Sequence, residues 1–251
     1  YYSKSNRDVI SISQYRSKIR ERIRKNYFLL KIRNNKIERI SLLLRLNNLD
    51  ILKKSDWSFL SNLNMTENDF QVVKEITNLN FDYSGKVHEL LNKIPHNLRS
   101  ESLKINDVNA WTDSDVSPYL ESYFEVCFES FMTGDHKSLT EKIFKPIINF
   151  LPFIFVSFKG SLKLLRDLGF KTFSGFINEE YDEIEDPWER LQAITIEIDR
   201  ICKMSHKQIH FWYQDMDEIL TYNHNHLLNH HKNNLLGKKV LDELSNFCNI
   251  N

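Results

Sequence analysis

The chain has 251 residues, with 34 basic and 34 acidic side chains, 41% hydrophobic residues and 12% aromatics. That apolar content excludes a disordered chain, and zero formal charge removes the basic excess expected of a whole-domain nucleic-acid or anionic-membrane binder. At roughly 100–200 residues per domain, the length suits one large or two small domains.

Cys127, Cys202 and Cys248 are widely spaced and form no CxxC pair, so neither a disulfide framework nor a zinc knuckle is indicated; a reducing, cytoplasmic setting is expected. The longest apolar stretch, 147–158, is interrupted by Asn149 and Pro152 and falls short of the ~20 apolar residues of a membrane span. The sequence opens on Tyr1 with no leader pattern, as expected of a fragment or a processed product.

Charge is unevenly spread. Residues 1–54 carry 15 Lys/Arg against 4 Asp/Glu, a balance of +11, and residues 178–200 carry 9 acids against 2 bases, a balance of −7. The basic end reads either as a phosphate-contacting surface or, more plainly, as a solvated helix face that meets the acidic segment.

In chain order, Ile10, Ile19 and Ile23 among Arg and Lys predict a basic helix over 8–25. Tyr27-Phe28-Leu29-Leu30 has the length of a buried strand. Leu42, Leu43, Leu46 and Leu49 give a helical stripe over 37–49, and Trp57-Ser58-Phe59-Leu60 reads as the next strand. Thr66 is a plausible cap for a helix over 67–78, with Glu67 and Asp69 in its first turn. A short helix over 86–93 stops before Pro95, and 97–118, with Trp111, reads as a long loop. Strand 123–128, helix 140–149, strand 152–156 and helix 161–168, closed by Gly169, follow. After Pro187, everything to Asn251 reads as helical. Such alternation predicts an α/β layered fold with parallel strands.

Chemical motifs are few. Six glycines form no GxGxxG or P-loop, and GxSxG and HExxH are absent. His224, His226, His230 and His231 form a cluster with the spacing of a metal site, its plainer reading being an exposed polar helix face; no metal is expected. The acidic run 179–186 has the carboxylates for a cation or a general base, or for helix capping. Trp57, Trp111 and Tyr119 have the shape to stack on a base or sugar, core packing being their commoner role. Thr140-Glu141-Lys142-Ile143, after Glu129, brings a hydroxyl, helix-start amides and an ammonium to one strand–loop–helix junction. That is the chemistry of an anion site or, equally, of a capped helix with solvent-exposed Glu and Lys.

The pattern Tyr123-Phe124-Glu125-Val126-Cys127-Phe128-Glu129-Ser130, a loop with Gly134 and Asp135, then Thr140-Glu141-Lys142-Ile143, resembles the donor half of family 10 glycosyltransferases, the α-1,3-fucosyltransferases. Phe28-Leu29-Leu30 followed by a loop and Arg39 resembles that family's strand and arginine. The run from Thr140 to Ile184 is also similar to uncharacterised phage and bacterial proteins regarded as glycosyltransferase-like. Ser130 stands where the family usually has Asn, and Pro146 interrupts the following helix.

The resemblance implies a Rossmann-like parallel sheet, the C-terminal half of a GT-B enzyme. Its nucleotide-sugar-binding domain would span 26–186, behind a basic helix or linker at 1–25 and before a helical extension over 187–251. It implies a nucleotide diphosphate sugar as donor, no metal cofactor, and a glycan or other acceptor. Arg39 and Lys142 would pair with the diphosphate, Glu129 and Glu141 would receive hydroxyls, and Thr140 would open the site. The family's acceptor domain, with its proposed general base, is more than the 25 residues before the first strand can make, so a truncated enzyme, a donor-binding half or a divergent member is expected. Two other readings stay open: nucleic-acid binding by the basic arm, and an interaction protein with a decayed site, in which Arg39, Glu129 and Lys142 would lie scattered.

Overall fold

The computed structural model describes residues 10–63, 65–77, 85–98, 116–130, 132 and 138–232. Ser11 opens a short helix, α1 (Ile12–Gln14), by a capping box in which its hydroxyl accepts from the Gln14 amide and the Gln14 side chain accepts from the Ser11 amide. A wider π-type turn, Tyr15–Ile19, continues it and buries Tyr15 and Ile19. The expected helix over 8–25 is thus corrected: helical backbone ends at Ile19. Ile23 is not part of a buried stripe but 72% exposed, and the chain leaves the helix to bury Arg24 and start the first strand.

Strand β1 (Asn26–Ile32) leads to α2 (Ile37–Asn48), a 3-10 turn (Leu52–Lys54) and β2 (Ser55–Phe59). Helices α3 (Glu67–Thr77) and α4 (Gly85–Leu91) follow; Thr66 caps α3 by accepting from the Asp69 amide, while the Asp69 carboxylate accepts from the Thr66 amide. The expected loop 97–118 lies largely outside the described residues, Trp111 included, and at its end it forms a turn of helix, α5 (Ser117–Leu120), which Pro118 helps to start.

Next come β3 (Ser122–Phe128), α6 (Glu141–Ile148), β4 (Phe153–Val156) and α7 (Ser161–Asp167). Pro146 neither kinks α6 away from the sheet nor stops it at once. In so short a helix it forfeits a single backbone bond, and the buried Ile143, Phe144 and Ile147 hold the segment in place. Gly169 closes α7 at φ 90°, and a Cβ there would sit 2.7 Å from His226 Cε1, so both conformation and space require glycine. The C-terminal helical region breaks into α8 (Pro187–Cys202), α9 (His206–Gln214) and α10 (Asp217–Lys232), with a Ser205–Gln208 capping box restarting the chain at α9. Residues 233–251 lie outside the described part.

The four strands form one parallel sheet in the order β2-β1-β3-β4, a Rossmann-like α/β arrangement. Register places Phe28, Leu30 and Ile32 beside Trp57, Phe59, Phe124, Val126, Ile154 and Val156 on one face, all buried. Helices α2, α8 and α9 cover this face: Arg39 lies over the Phe128 ring, Trp212 meets Phe124 edge-on, and α8 packs on β4 and α2. The opposite face carries Leu29, Phe153 and Phe155, and with them Lys31, Asp56, Ser58, Glu125 and the buried Cys127. Helix α6 covers it, bringing Lys145 into electrostatic reach of Glu125.

Because β1 connects outward to β2 and β3 connects outward to β4, right-handed crossovers must lie on opposite faces, which is where α2 and α6 sit. The winding direction reverses between β1 and β3, and the carboxyl ends of those two strands bound the crevice where open α/β sheets bind ligands. Helices α8 and α9 share the core of the sheet, and α10 packs on α6, with Ile194, Ile198, Tyr213 and Leu220 buried.

Candidate functional site

Past the carboxyl end of β1, the chain turns at 33–36 into α2. Lys36 occupies the N-cap without giving a side-chain cap, and the Arg39 and Ile40 amides both donate to its carbonyl, at 3.0 and 3.1 Å. The Ile37 and Glu38 amides therefore face the crevice end of the helix, where its dipole is positive. The Lys36 ammonium donates to the Ser130 carbonyl at 2.6 Å. Arg39, one turn on and only 6% exposed, donates to the Glu129 carbonyl at 3.3 Å. Among the described residues this is its only hydrogen bond, and no carboxylate lies within ion-pair distance. Burial pushes the guanidinium below its ordinary value, against the opposing charges of Glu38 and Glu129.

Across the crevice, Glu129 follows β3 and is 3% exposed. Its carboxylate accepts from the Ser130 amide at 2.7 Å, the Thr140 amide at 2.9 Å and the Thr140 hydroxyl at 2.6 Å. It therefore pins together the two ends of the loop between β3 and α6. The Lys142 ammonium stands 3.6 Å from Glu129 Oε1 and donates to the Ser130 hydroxyl at 2.7 Å. Thr140 also caps α6, its hydroxyl accepting from the Lys142 amide at 3.5 Å.

Of the plainer expectation, the capped helix is present, but the solvent-exposed Glu and Lys are not. Glu141 Oε1 is buried without a hydrogen-bond partner among the described residues, and Lys142 is held over the loop. Arg39, Glu129, Thr140 and Lys142 thus converge on the crevice, with Glu141 beside them at the first position of α6.

Three contributors are invisible to motif reading. Lys36 and Ser130 act through a loop carbonyl and a hydroxyl, and only the βα-loop position of Lys36 hints at it. Arg190, on α8, reaches the same edge of the sheet from distant sequence and donates to the carbonyls of Met132 at 2.9 Å and Ser157 at 3.0 Å. Deeper on the same sheet face as Glu129, the Lys31 ammonium donates to the Tyr119 hydroxyl, lies 4.2 Å from the centre of that ring, and stands 3.6 Å from Glu125 Oε1. Burial raises the Glu125 carboxyl despite Lys31 and Lys145, and Glu125 Oε2 has no hydrogen-bond partner among the described residues. A lysine inside an otherwise apolar strand is the sequence trace of this pair.

The other candidates resolve into structural roles. His224 is buried, stacks on Phe150 at 4.0 Å and contacts the Ile148 carbonyl through Nδ1 at 3.1 Å, and His226 Nε2 meets the Leu168 carbonyl at 2.9 Å. The expected exposed polar face is corrected at these two positions, because α10 lies against the ends of α6 and α7. In the acidic run, Asp182 accepts from the Leu162 and Lys163 amides at 3.1 and 3.2 Å and caps α7 from outside, Asp186 caps α8, and Glu179 accepts from the Phe173 amide at 2.6 Å.

Among the described residues the basic arm forms its ion pairs away from that run. Arg16 and Arg20 pair with Asp217, Arg22 and Lys25 with Glu121, and Arg24 is buried over the Tyr213 ring at 3.7 Å. Trp57, stacked on His96, and Tyr119 are core residues. Among the described residues no helix is long and apolar enough to cross a membrane. No protein-family profile, no curated protein and no solved structure matches the chain.

Proposed function

We propose that the chain binds the diphosphate of a nucleotide sugar in the crevice between the ends of β1 and β3, and serves as the donor-binding part of a sugar-transfer enzyme. The observation that carries this reading is Arg39: a buried guanidinium with one 3.3 Å bond to a carbonyl and no carboxylate partner, at the start of a helix without a side-chain cap. Its remaining guanidinium nitrogens are not fully enclosed, so a doubly charged diphosphate could reach them and form charge-assisted hydrogen bonds in place of water.

Lys142, bonded to the Ser130 hydroxyl and paired with the Glu129 carboxylate at 3.6 Å, adds a second cation on the opposite wall. Glu141 Oε1 adds an acceptor for a ligand hydroxyl. In sugar transfer the nucleoside diphosphate leaves carrying negative charge, so fixed cations and helix amides at that position would stabilise the transition state with no metal required. The fucosyltransferase likeness supplies the substrate class. The acceptor-side base would come from outside this chain's described residues.

Titration calorimetry with a panel of nucleoside diphosphates and nucleotide sugars tests the reading. The expected result is binding by the wild-type chain that weakens in Arg39→Ala and in Lys142→Ala by about 1.5–3 kcal/mol, the range for a charge-assisted hydrogen bond. Folded variants that bind as the wild type does would remove it. The nucleic-acid reading has no comparable support, because Arg16, Arg20, Arg22, Arg24 and Lys25 are engaged within the chain.

A further inference from the structure

Three basic side chains grip successive parts of the loop that follows β3. Arg39 donates to the carbonyl of Glu129, Lys36 to that of Ser130 and Arg190 to that of Met132. They are not equivalent. Lys36 and Arg39 stand in the crevice at the start of α2, where a bound anion would compete for their donors.

Arg190 is 3% exposed and gives four of its five N–H donors to backbone carbonyls from three separate segments. Nε donates to Ser157 at 3.0 Å, Nη2 to Met132 at 2.9 Å, and Nη1 to Glu185 at 3.2 Å and to Ile184. Ser157 ends β4, and 184–185 lead into the Asp186 cap of α8. No carboxylate lies within ion-pair distance of Arg190 among the described residues; its direct contacts are these carbonyls, with Asp182, Glu185 and Asp186 acting on its charge from further off.

We infer that Arg190 is a positioning residue for the anion site. By fastening Met132 to the end of β4 and to the start of α8, it keeps Glu129, Ser130 and Met132 in place when Lys36 and Arg39 turn their donors from the Ser130 and Glu129 carbonyls to a ligand. Glu129, Thr140 and Lys142 keep their spacing through it. The inference rests on the anion-binding reading for its ligand, but its mechanical half stands on the hydrogen bonds alone. A planar fork reaching three segments at once is work that a lysine ammonium does only in part.

The test uses the full chain and two variants, Arg190→Gln and Arg190→Lys, with two measurements on each: amide hydrogen exchange over residues 129–140, and calorimetric affinity for a nucleoside diphosphate. In Arg190→Gln the Ser130 and Thr140 amides should exchange faster while β1 and β3 stay as protected as in the wild type, and affinity should fall about tenfold, equivalent to ~1.4 kcal/mol. Arg190→Lys should fall between the two, and it carries the comparison if the glutamine variant does not fold.

A purely structural role would lower the unfolding temperature of both variants and leave loop exchange and the affinity of the folded chain unchanged; that result overturns the inference. Faster loop exchange in a chain whose wild type binds no diphosphate supports the clamp and sinks the anion-binding reading. Normal wild-type binding that survives in both variants, with an unchanged loop, does the reverse.

Discussion

Among the described residues three arginines are buried, and each meets the cost of a buried cation differently. Arg24 spreads its charge over the rings of Tyr213 and Tyr123, 3.7 and 5.5 Å away, with one bond to the Arg22 carbonyl at 3.2 Å. Arg190 is wrapped in carbonyls. Arg39, like Arg24, has a single side-chain hydrogen bond, its own at 3.3 Å, but its other nitrogens are not fully enclosed, whereas Arg24 Nε is.

His224 is a titrating counterpart. Burial lowers its pKa from the ordinary 6.5. A depressed value means that the unfolded chain takes up the proton first, so His224 contributes its full share of stability above pH 6.5 and loses it as pH falls through the folded value. Replacing it with glutamine should flatten the loss of stability as pH falls below about 6.5, read from denaturant midpoints at several pH values. An unchanged slope would place the titration elsewhere, for instance at His210, whose pKa burial also lowers.

The elements owe their ends to acidic side chains as much as to their own sequences. Helix α7 begins after Gly160, which gives it no side-chain cap, and its first amides are satisfied by Asp182, 20 residues away at Leu162 and 19 at Lys163. Asp182→Ala should cost about 1–3 kcal/mol, because those amides would be left without an acceptor in a buried setting. Urea denaturation measures it, and a change below about 0.5 kcal/mol, the scatter of ordinary surface substitutions, would mean that the cap is dispensable.

No local pattern announces such a cap. Asp182 reads in the sequence as one of several solvating acids, whereas Thr66, Thr140 and Asp186 sit next to the helices they start and are recognisable there. The same distinction divides the candidate site. The Thr140–Lys142 group was visible because strand, loop and helix follow one another along the chain, whereas Arg39 was singled out only through the family resemblance. Lys36, Ser130 and Arg190 act through backbone carbonyls and hydroxyls across the fold, which composition and spacing do not encode. Strand positions were likewise readable, since parallel strands buried on both faces appear as apolar runs such as Tyr27–Leu30 and Phe153–Val156. The end of the first helix was not, because Ile10, Ile19 and Ile23 share a helical period without sharing a buried face.

For the molecule as a whole, the winding reversal between β1 and β3 joins two halves, each made of two strands and a covering helix, and the terminal elements close the assembly. Tyr15 stacks on Phe150 at 4.2 Å, and the Tyr213 hydroxyl from α9 donates to the Phe150 carbonyl at 2.8 Å. Phe150 itself sits at φ 53°, a conformation that a large side chain adopts only when its neighbours fix it. The described part of the basic arm, from residue 10 on, is therefore tied to the core through Tyr15, Ile19 and Arg24. A chain started at Lys25 should lose on the order of 5–10 kcal/mol through the missing Tyr15, Ile19 and Arg24 contacts, a large share of the stability of an ordinary domain. Cooperative thermal unfolding of that shortened chain at the wild-type temperature would contradict the assignment.

Cys127, near the carboxyl end of β3, is 2% exposed, and burial together with Glu125 and Glu129 raises its thiol well above the ordinary value; Cys202, at the end of α8, is pushed up to about 12. Only a thiolate attacks a disulfide or alkylating reagent, so neither sulfur should react while the sheet is closed. With Cys248 replaced by serine, labelling of Cys127 becomes a built-in clock for opening of the central strands. Its rate should stay negligible in buffer and rise with denaturant in step with global unfolding. Labelling of Cys127 well before that transition would mean that β3 detaches while the remainder of the chain stays folded.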